Sequence, residues 1–243
     1  MNRSPRALTL VELLIVVAII GVIIALMSPF HRGGGREPAR QMYCRKNLKQ
    51  IALAMLAYAE EHGTLPPAYT VDEAGNRLHS WRTLILPYLD NQRLYESINL
   101  TKSWDDPANG QARATALDIY LCPSANHDQD HTTYLAVVGP DFAFAGETPR
   151  ALNDVTDDAG GTLLVVEARS DQAVHWMSPH DLTEEGAVQI SLAGDRTYAP
   201  HAGVFQVAFL DGAVVSLHAD VDRDLLHGLL TIAGGEDVSD ALE

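Results

Sequence analysis

Residues 13–27 form fifteen consecutive apolar or glycine positions. This run constrains the chain more than any other feature. Widened to residues 7–30, the segment carries one charge, Glu12. In a helix rising 1.5 Å per residue, about 20 residues cross a hydrocarbon core of roughly 30 Å. The segment is just long enough to span. A carboxylate inside a spanning helix costs about 2.5–3.5 kcal/mol on insertion scales and usually has a function. Three readings compete. A cleaved secretory signal accounts for Arg3, Arg6 and the apolar middle, but no small-x-small cleavage site follows and Pro29 stands where cutting would be expected. A plain membrane anchor accounts for the length and leaves Glu12 unexplained. The third reading has to give Glu12 a task.

The chain has 243 residues, enough for one ordinary soluble domain with its own core and an accessory segment. Asp and Glu number 32 against 17 Lys and Arg, a formal net charge of −15. That balance argues against nucleic acid, whose phosphates attract basic surface. The basic residues Arg32, Arg36, Arg40, Arg45, Lys46 and Lys49 cluster just after the apolar run. Taken alone, the positive-inside rule would then favour a cytoplasmic C-terminus. There are two cysteines, Cys44 and Cys122, and no CxxC spacing, so a structural zinc site is not expected.

The glycines and proline of "HRGGGREP", residues 31–38, should break a straight helix. A hinge is expected near Gly33–Gly35, with a second helix starting around Pro38. Leu48, Ile51, Met55 and Tyr58 recur at helical spacing and give that helix its buried face; Gly63 is its expected stop. Residues 80–98 read as two short helices broken at Pro87, with Ser80 as N-cap. Strands are expected at 134–138, 163–167, 174–177 and 188–192. Two β-rich runs flank Asp211-Gly212, a pair favoured in type I′ hairpins, and a short final helix begins near Asp222. The expected fold is α+β, with an N-terminal helix packed on a mainly antiparallel sheet.

No GxSxG, HExxH or GxxxxGK[ST] motif occurs, and no catalytic residue is assigned. Ser124 with His127, or His201 with Asp211, mimic catalytic pairs. The first reads as a loop, and in the second Asp211 reads as a turn residue and His201 as a strand-entry residue. Two oxygen-rich loops offer weak metal ligands: Asp105, Asp106 and Asn109 in one, Asn126, Asp128 and Asp130 in the other. Calcium takes six to eight oxygens, yet neither loop has the closing glutamate of an EF-hand. No cofactor is required, and calcium is the ion these loops would suit. Trp81, Trp104 and Trp176 read as core rather than a carbohydrate platform.

The segment "ALTLVELLIVVAIIGVIIALMSP" resembles the class III leader of type IV pilins and type II secretion pseudopilins. The resemblance implies a leader, residues 1–7, cut by a prepilin peptidase between Ala7 and Leu8. It also implies N-methylation of Leu8 and Glu12 as the fifth mature residue, acting in assembly. Ala7 stands where the family usually has glycine, and Leu8 where it has phenylalanine. Further on, "RQMYCRKNLKQIALAMLAYAEEHGTLPPAY", "SWRTLILPYLDNQRLYESI", "YLCPS", "LLVVE" and H-x9-DG (His201 to Asp211-Gly212) occur in order. That set is similar to a large bacterial family with a prepilin-like N-terminus, an H-x9-DG motif and largely unknown function. The family's "I-x-DGTSNT" pattern is weakened here to "VTDDAGGT" at residues 155–162.

The resemblance implies a pilin-like layout: leader 1–7, membrane and assembly helix 8–30, hinge 31–37, and an α+β domain 38–243. That domain would lie in the periplasm or on the cell surface, on a single-pass inner-membrane anchor. The implied role is structural, in a type II secretion or type IV pilus-like system, not catalysis. Its partners would be prepilin peptidase, other pilin-like subunits and the inner membrane. The alternative is an anchored extracytoplasmic module that binds carbohydrate or calcium and does not assemble. In an exported domain two cysteines often pair, so a Cys44–Cys122 disulfide is expected.

Overall fold

The structure is a computed structural model, and it describes residues 10–27, 36–192, 200–201 and 203–238. The cleavage positions Ala7 and Leu8 and the expected hinge at Gly33–Gly35 lie outside the described residues. The chain divides into two units, Met1–Arg36 and Glu37–Glu243.

The first unit contributes α1 (Leu10–Met27), eighteen residues with Glu12 in the first turn. Leu10, Val11, Leu14, Val17 and Val22 are all exposed on it. Apolar residues go all the way round, which marks a helix made to be enclosed by other apolar matter. The described stretch is about 27 Å long at 1.5 Å per residue. No described helix is long and apolar enough to cross a membrane.

All but the first residue of α2 (Arg36–His62) belongs to the second unit. The helix starts two residues earlier than expected, with Pro38 in the first turn, where a missing N–H costs no helical bond. It ends at Gly63, whose φ of 79° lets its N–H reach Ala59 O at 2.8 Å. Leu48, Ile51 and Met55 are fully buried, each contributing about 1.5–3 kcal/mol of transfer free energy; Tyr58 is half-buried. Then follow β1 (Tyr69–Val71), β2 (Arg77–Ser80), α3 (Trp81–Leu84), α4 (Gln92–Glu96), α5 (Gly110–Arg113), β3 (His131–Thr132), β4 (Tyr134–Leu135), β5 (Leu163–Glu167), β6 (Val174–His175), α6 (Glu184–Leu192), β7 (Val204–Phe209), β8 (Val214–His218) and α7 (Arg223–Leu230).

The main sheet runs β4-β5-β7-β8, with two-stranded pairs β1-β2 and β3-β6; every strand pair is antiparallel. The expected α+β class is therefore what the structure shows. Alternation along the strands sends side chains to two cores. Tyr134, Val165 and Ala208 join the α2 face with Leu48, Ile51 and Met55. Leu135, Val166, Phe205, Val207 and Phe209 join α6 and α7 on the other.

Several local expectations are corrected. Residues 188–192 are not a strand but the end of α6. Thr183 Oγ1 accepts the Gly186 N–H at 3.3 Å, and Glu184 and Glu185 occupy the first turn, where negative charge suits the helix dipole. The expected strands 134–138 and 174–177 shorten to Tyr134–Leu135 and Val174–His175. The two short helices expected around Pro87 are α3 and α4, and Pro87 itself lies between them in a 3₁₀ turn, Leu86–Leu89. The hairpin at Asp211-Gly212 is not type I′, which needs positive φ at both residues, because only Gly212 has one, 77°. Its N–H closes on Phe209 O at 2.9 Å, so a three-residue loop ends on a left-handed glycine. Ser80 does cap α3, accepting the Arg82 N–H, and Asp222 caps α7 through Asp224 and Leu225 N–H.

Candidate functional site: thiols, imidazole and carboxylates under the second helix

Glu37 and Cys44 lie seven residues apart on α2, two turns along one face. Cys44 is fully buried. Asn47, one turn further, donates through Nδ2 to Asp118 O and Leu121 O at 3.0 and 3.1 Å. Those bonds hold the segment that delivers Cys122. Glu167 ends β5, two positions after Val165, and so points to the α2 face. His201 sits just before β7, bridged to Val204. Four segments far apart in the chain thus meet at one place.

The contacts are close. Cys44 Sγ and Cys122 Sγ are 2.9 Å apart, and both are free thiols. His201 Nε2 lies 3.9 Å from Cys122 Sγ and 3.4 Å from Glu167 Oε2. His201 Nδ1 is in short hydrogen-bond contact with Glu37 Oε1. Ser124 Oγ reaches the Glu37 carboxylate at 3.1 and 3.0 Å. His201 and Glu167 are wholly buried, and Glu167 Oε1 is a buried oxygen with no hydrogen-bond partner. Cys44, Cys122, Glu167 and His201 each offer a ligand atom, all within 4.8 Å of one another.

Burial alone would lower the His201 pKa, but its contacts with Cys122, Glu167 and Glu37 overcome that and push it up to about 11. The imidazole is then a cation between two carboxylates, with Nδ1 donating to Glu37. Burial acts to raise Glu37, yet its bonds to His201 and Ser124 hold it below the ordinary carboxylate range. The Cys44 contact, then burial, drives the Cys122 thiol upward.

The sequence motifs land differently. Asp211 sits in the β7–β8 turn, accepting the Ala213 N–H, at the other end of β7 from His201; the two are no pair. Ser124 spends its hydroxyl on Glu37, while His127 Nδ1 contacts Asp128 O at 2.8 Å. Asp106 caps a 3₁₀ turn through the Ala108 N–H, and Asp105 accepts from Ser103 Oγ. Asn109 is buried and bonds Asn99 and Ser103 with both ends of its amide. In the second loop Asp128 and Asp130 gather with His131, whereas Asn126 bonds Ser170 through its backbone N–H. Trp81 and Trp176 are buried, and Trp104 is half-buried.

The lack of a CxxC spacing argues against a structural zinc site, but spacing does not register the four possible donor side chains that the fold brings together from positions 44, 122, 167 and 201. The structure also shows a buried Arg82–Asp181 ion pair at 2.7 Å, which no sequence pattern indicated.

Residues 2–28 match the model of the prokaryotic N-terminal methylation motif. The chain carries a prepilin-type N-terminus. Residues 34–141 match the model described as protein of unknown function (DUF1559), and together the two matches bear out the expected prepilin-like resemblance. The motif fits a pilin-like fold, marks a prepilin peptidase cleavage site and accords with membrane anchoring. The DUF1559 match takes in Glu37, Cys44 and Cys122; Glu167, His201 and the H-x9-DG residues lie beyond it. No curated protein and no solved structure matches this prepilin-like chain.

Proposed function

We propose that this prepilin-like chain is a pseudopilin-like or pilin-like subunit with a structural, non-catalytic role in a type II secretion or type IV pilus-like assembly. The match at residues 2–28 carries the reading. In this reading the leader is removed before Leu8, which becomes N-methylated. The apolar helix resides in the inner membrane, and residues 38–243 face the periplasm or the cell surface.

Cleavage at Leu8 creates an α-amine that stays protonated near neutral pH. Glu12 then pairs with that amine, on its own chain or a neighbour's, offsetting part of the cost of a carboxylate in the bilayer and setting the register between otherwise featureless helices. Intact-mass analysis of the protein from its native membrane tests the processing step. It should show a chain starting at N-methyl-Leu8. Retention of Met1, or a cut after Met27, overturns the reading.

A further inference from the structure

We propose that Cys44, Cys122, Glu167 and His201 form a four-coordinate site for a zinc-class divalent ion, with Glu37 orienting the histidine. Thiolate sulfur, imidazole nitrogen and carboxylate oxygen are all donors that zinc takes, and four protein ligands would close its tetrahedral shell.

The geometry fits with one adjustment. Around a tetrahedral zinc with Zn–S about 2.3 Å and Zn–N or Zn–O about 2.0–2.1 Å, donors stand about 3.8 Å apart for S–S, 3.5 Å for S–N and 3.3 Å for N–O. The observed His201–Cys122 and His201–Glu167 separations are 3.9 and 3.4 Å. The two sulfurs, at 2.9 Å, have to part by about 0.9 Å, within the reach of a cysteine side-chain rotation.

Two further observations point to a cation. Glu167 Oε1 is fully buried and unpartnered, a state that costs about 1–3 kcal/mol when left unmet. His201 gives its Nδ1 side to Glu37 and turns Nε2 toward Cys122 and Glu167. A metal-bound histidine almost always donates its other ring N–H to a carboxylate, a backbone carbonyl or water, and here Glu37 is that acceptor. Ser124 in turn holds Glu37. Binding is an exchange of ions without oxidation: the metal displaces the two thiol protons and the Nε2 proton, three in all, and His201 becomes a neutral ligand. Two thiolates and one carboxylate against a divalent ion leave one negative charge.

The test uses the full chain, purified in detergent under anaerobic reducing conditions and titrated with Co²⁺ alone, then with Zn²⁺ in competition. The expected result is one ion per chain. It should show a sulfur-to-cobalt charge-transfer band and tetrahedral visible bands, erased by zinc and accompanied by proton release. Cys44→Ser and Cys122→Ser should lose the charge-transfer band and bind at least 100-fold more weakly. Glu37→Gln, which leaves every ligand in place, should keep the band and weaken binding about 10–100-fold. The wild-type titration decides the matter even if a cysteine variant fails to fold. No thiolate–cobalt band in the reduced chain overturns the proposal. So does native protein with Cys44 and Cys122 joined as a disulfide and no metal.

Discussion

Removing Arg82 should be the most damaging single substitution in the second unit. The side chain is fully buried and donates to Trp176 O, Tyr134 O, Ser178 O and His180 O at 2.8–3.3 Å, as well as to Asp181. Its own carbonyl accepts the Tyr120 hydroxyl at 2.7 Å. One guanidinium therefore ties α3 to β4 and to residues 176–181. In Arg82→Met, Asp181 keeps only the Trp81 Nε1 and Ala136 N–H donors. Breaking a buried pair from one side costs about 3–5 kcal/mol, and each stranded carbonyl adds up to about 1–3 kcal/mol less than additively. Burial already holds Asp181 above the ordinary carboxylate range, with Arg82 opposing it. The stranded acid can therefore take up a proton, which caps the charge penalty. A net loss of about 5 kcal/mol is expected, against a typical domain stability of about 5–15 kcal/mol. Guanidinium unfolding followed by tryptophan fluorescence measures it, since Trp81 and Trp176 flank the site. Arg82→Met with Asp181→Leu should be no more stable than Arg82→Met alone, because removing the carboxylate strands the Trp81 Nε1–H and Ala136 N–H donors while the carbonyls stay orphaned. A single Arg82→Met variant within about 1 kcal/mol of wild type would refute the account.

Glu12→Ala and Glu12→Gln should leave leader cleavage and membrane insertion intact and reduce incorporation into assemblies; normal assembly of both, scored by a shear-fraction immunoblot where wild type assembles, would sink the pairing role. Leu48→Ala should cost about 2–5 kcal/mol by the same unfolding assay, since the side chain is fully enclosed between α2 and the sheet. Burial lowers the pKa of His79 and of His175 below 6.5. Above pH 6.5 both are neutral folded or unfolded; as pH falls below it the unfolded chain takes up protons the native state refuses, so stability drops until the lowered native values are reached. His79→Gln should flatten part of that drop in denaturation midpoints measured between pH 7 and 5, and an unchanged slope would show that His79 does not contribute.

Much of this chain was legible because local chemistry agreed with the final structure. The α2 face read correctly from the spacing of Leu48, Ile51 and Met55, and Gly63, Ser80 and Asp222 marked real helix ends. Strand β5 read correctly because "LLVVE" is a short apolar run with β-branched Val165 and Val166, preceded by the turn residues Gly160 and Gly161. The misreading of residues 188–192 came from weighing Val188 and Ile190 as strand formers while missing Thr183, Glu184 and Glu185 as a helix start. The hairpin was placed correctly and typed wrongly, because Asp-Gly also serves a three-residue loop in which only glycine needs positive φ. Nothing local announced the buried Arg82–Asp181 pair, whose partners are 99 residues apart. Nothing local announced the thiol–imidazole cluster either. Its signal is the coexistence of Cys44, Cys122, Glu167 and His201, and spacing rules recognise only ligands that arrive in short pairs.

The position of that cluster gives it a structural meaning beyond its chemistry. Cys44 and Cys122 are 78 residues apart, and Cys122 and His201 another 79. Each contact closes a long loop, and closing long loops is where a cross-link removes most entropy from the unfolded chain. Residues 38–243 would have to fold and persist outside the cytoplasm in the proposed function. There a single ion joining α2, the 118–124 segment, the end of β5 and the entry to β7 would lock helix to sheet at four points at once. Glu37 adds a fifth tie, because it holds His201 from the first turn of α2. Loss of the ion should therefore loosen the start of α2 and the His201 segment together, while α6 and α7, on the opposite face of the sheet, keep their packing. Hydrogen exchange on the metal-loaded and metal-stripped chain separates these outcomes. Deprotection confined to the α2 face fits a cross-link between helix and sheet. Uniform deprotection of both faces would mean that the cluster instead governs global stability, and no change on stripping would remove its structural role.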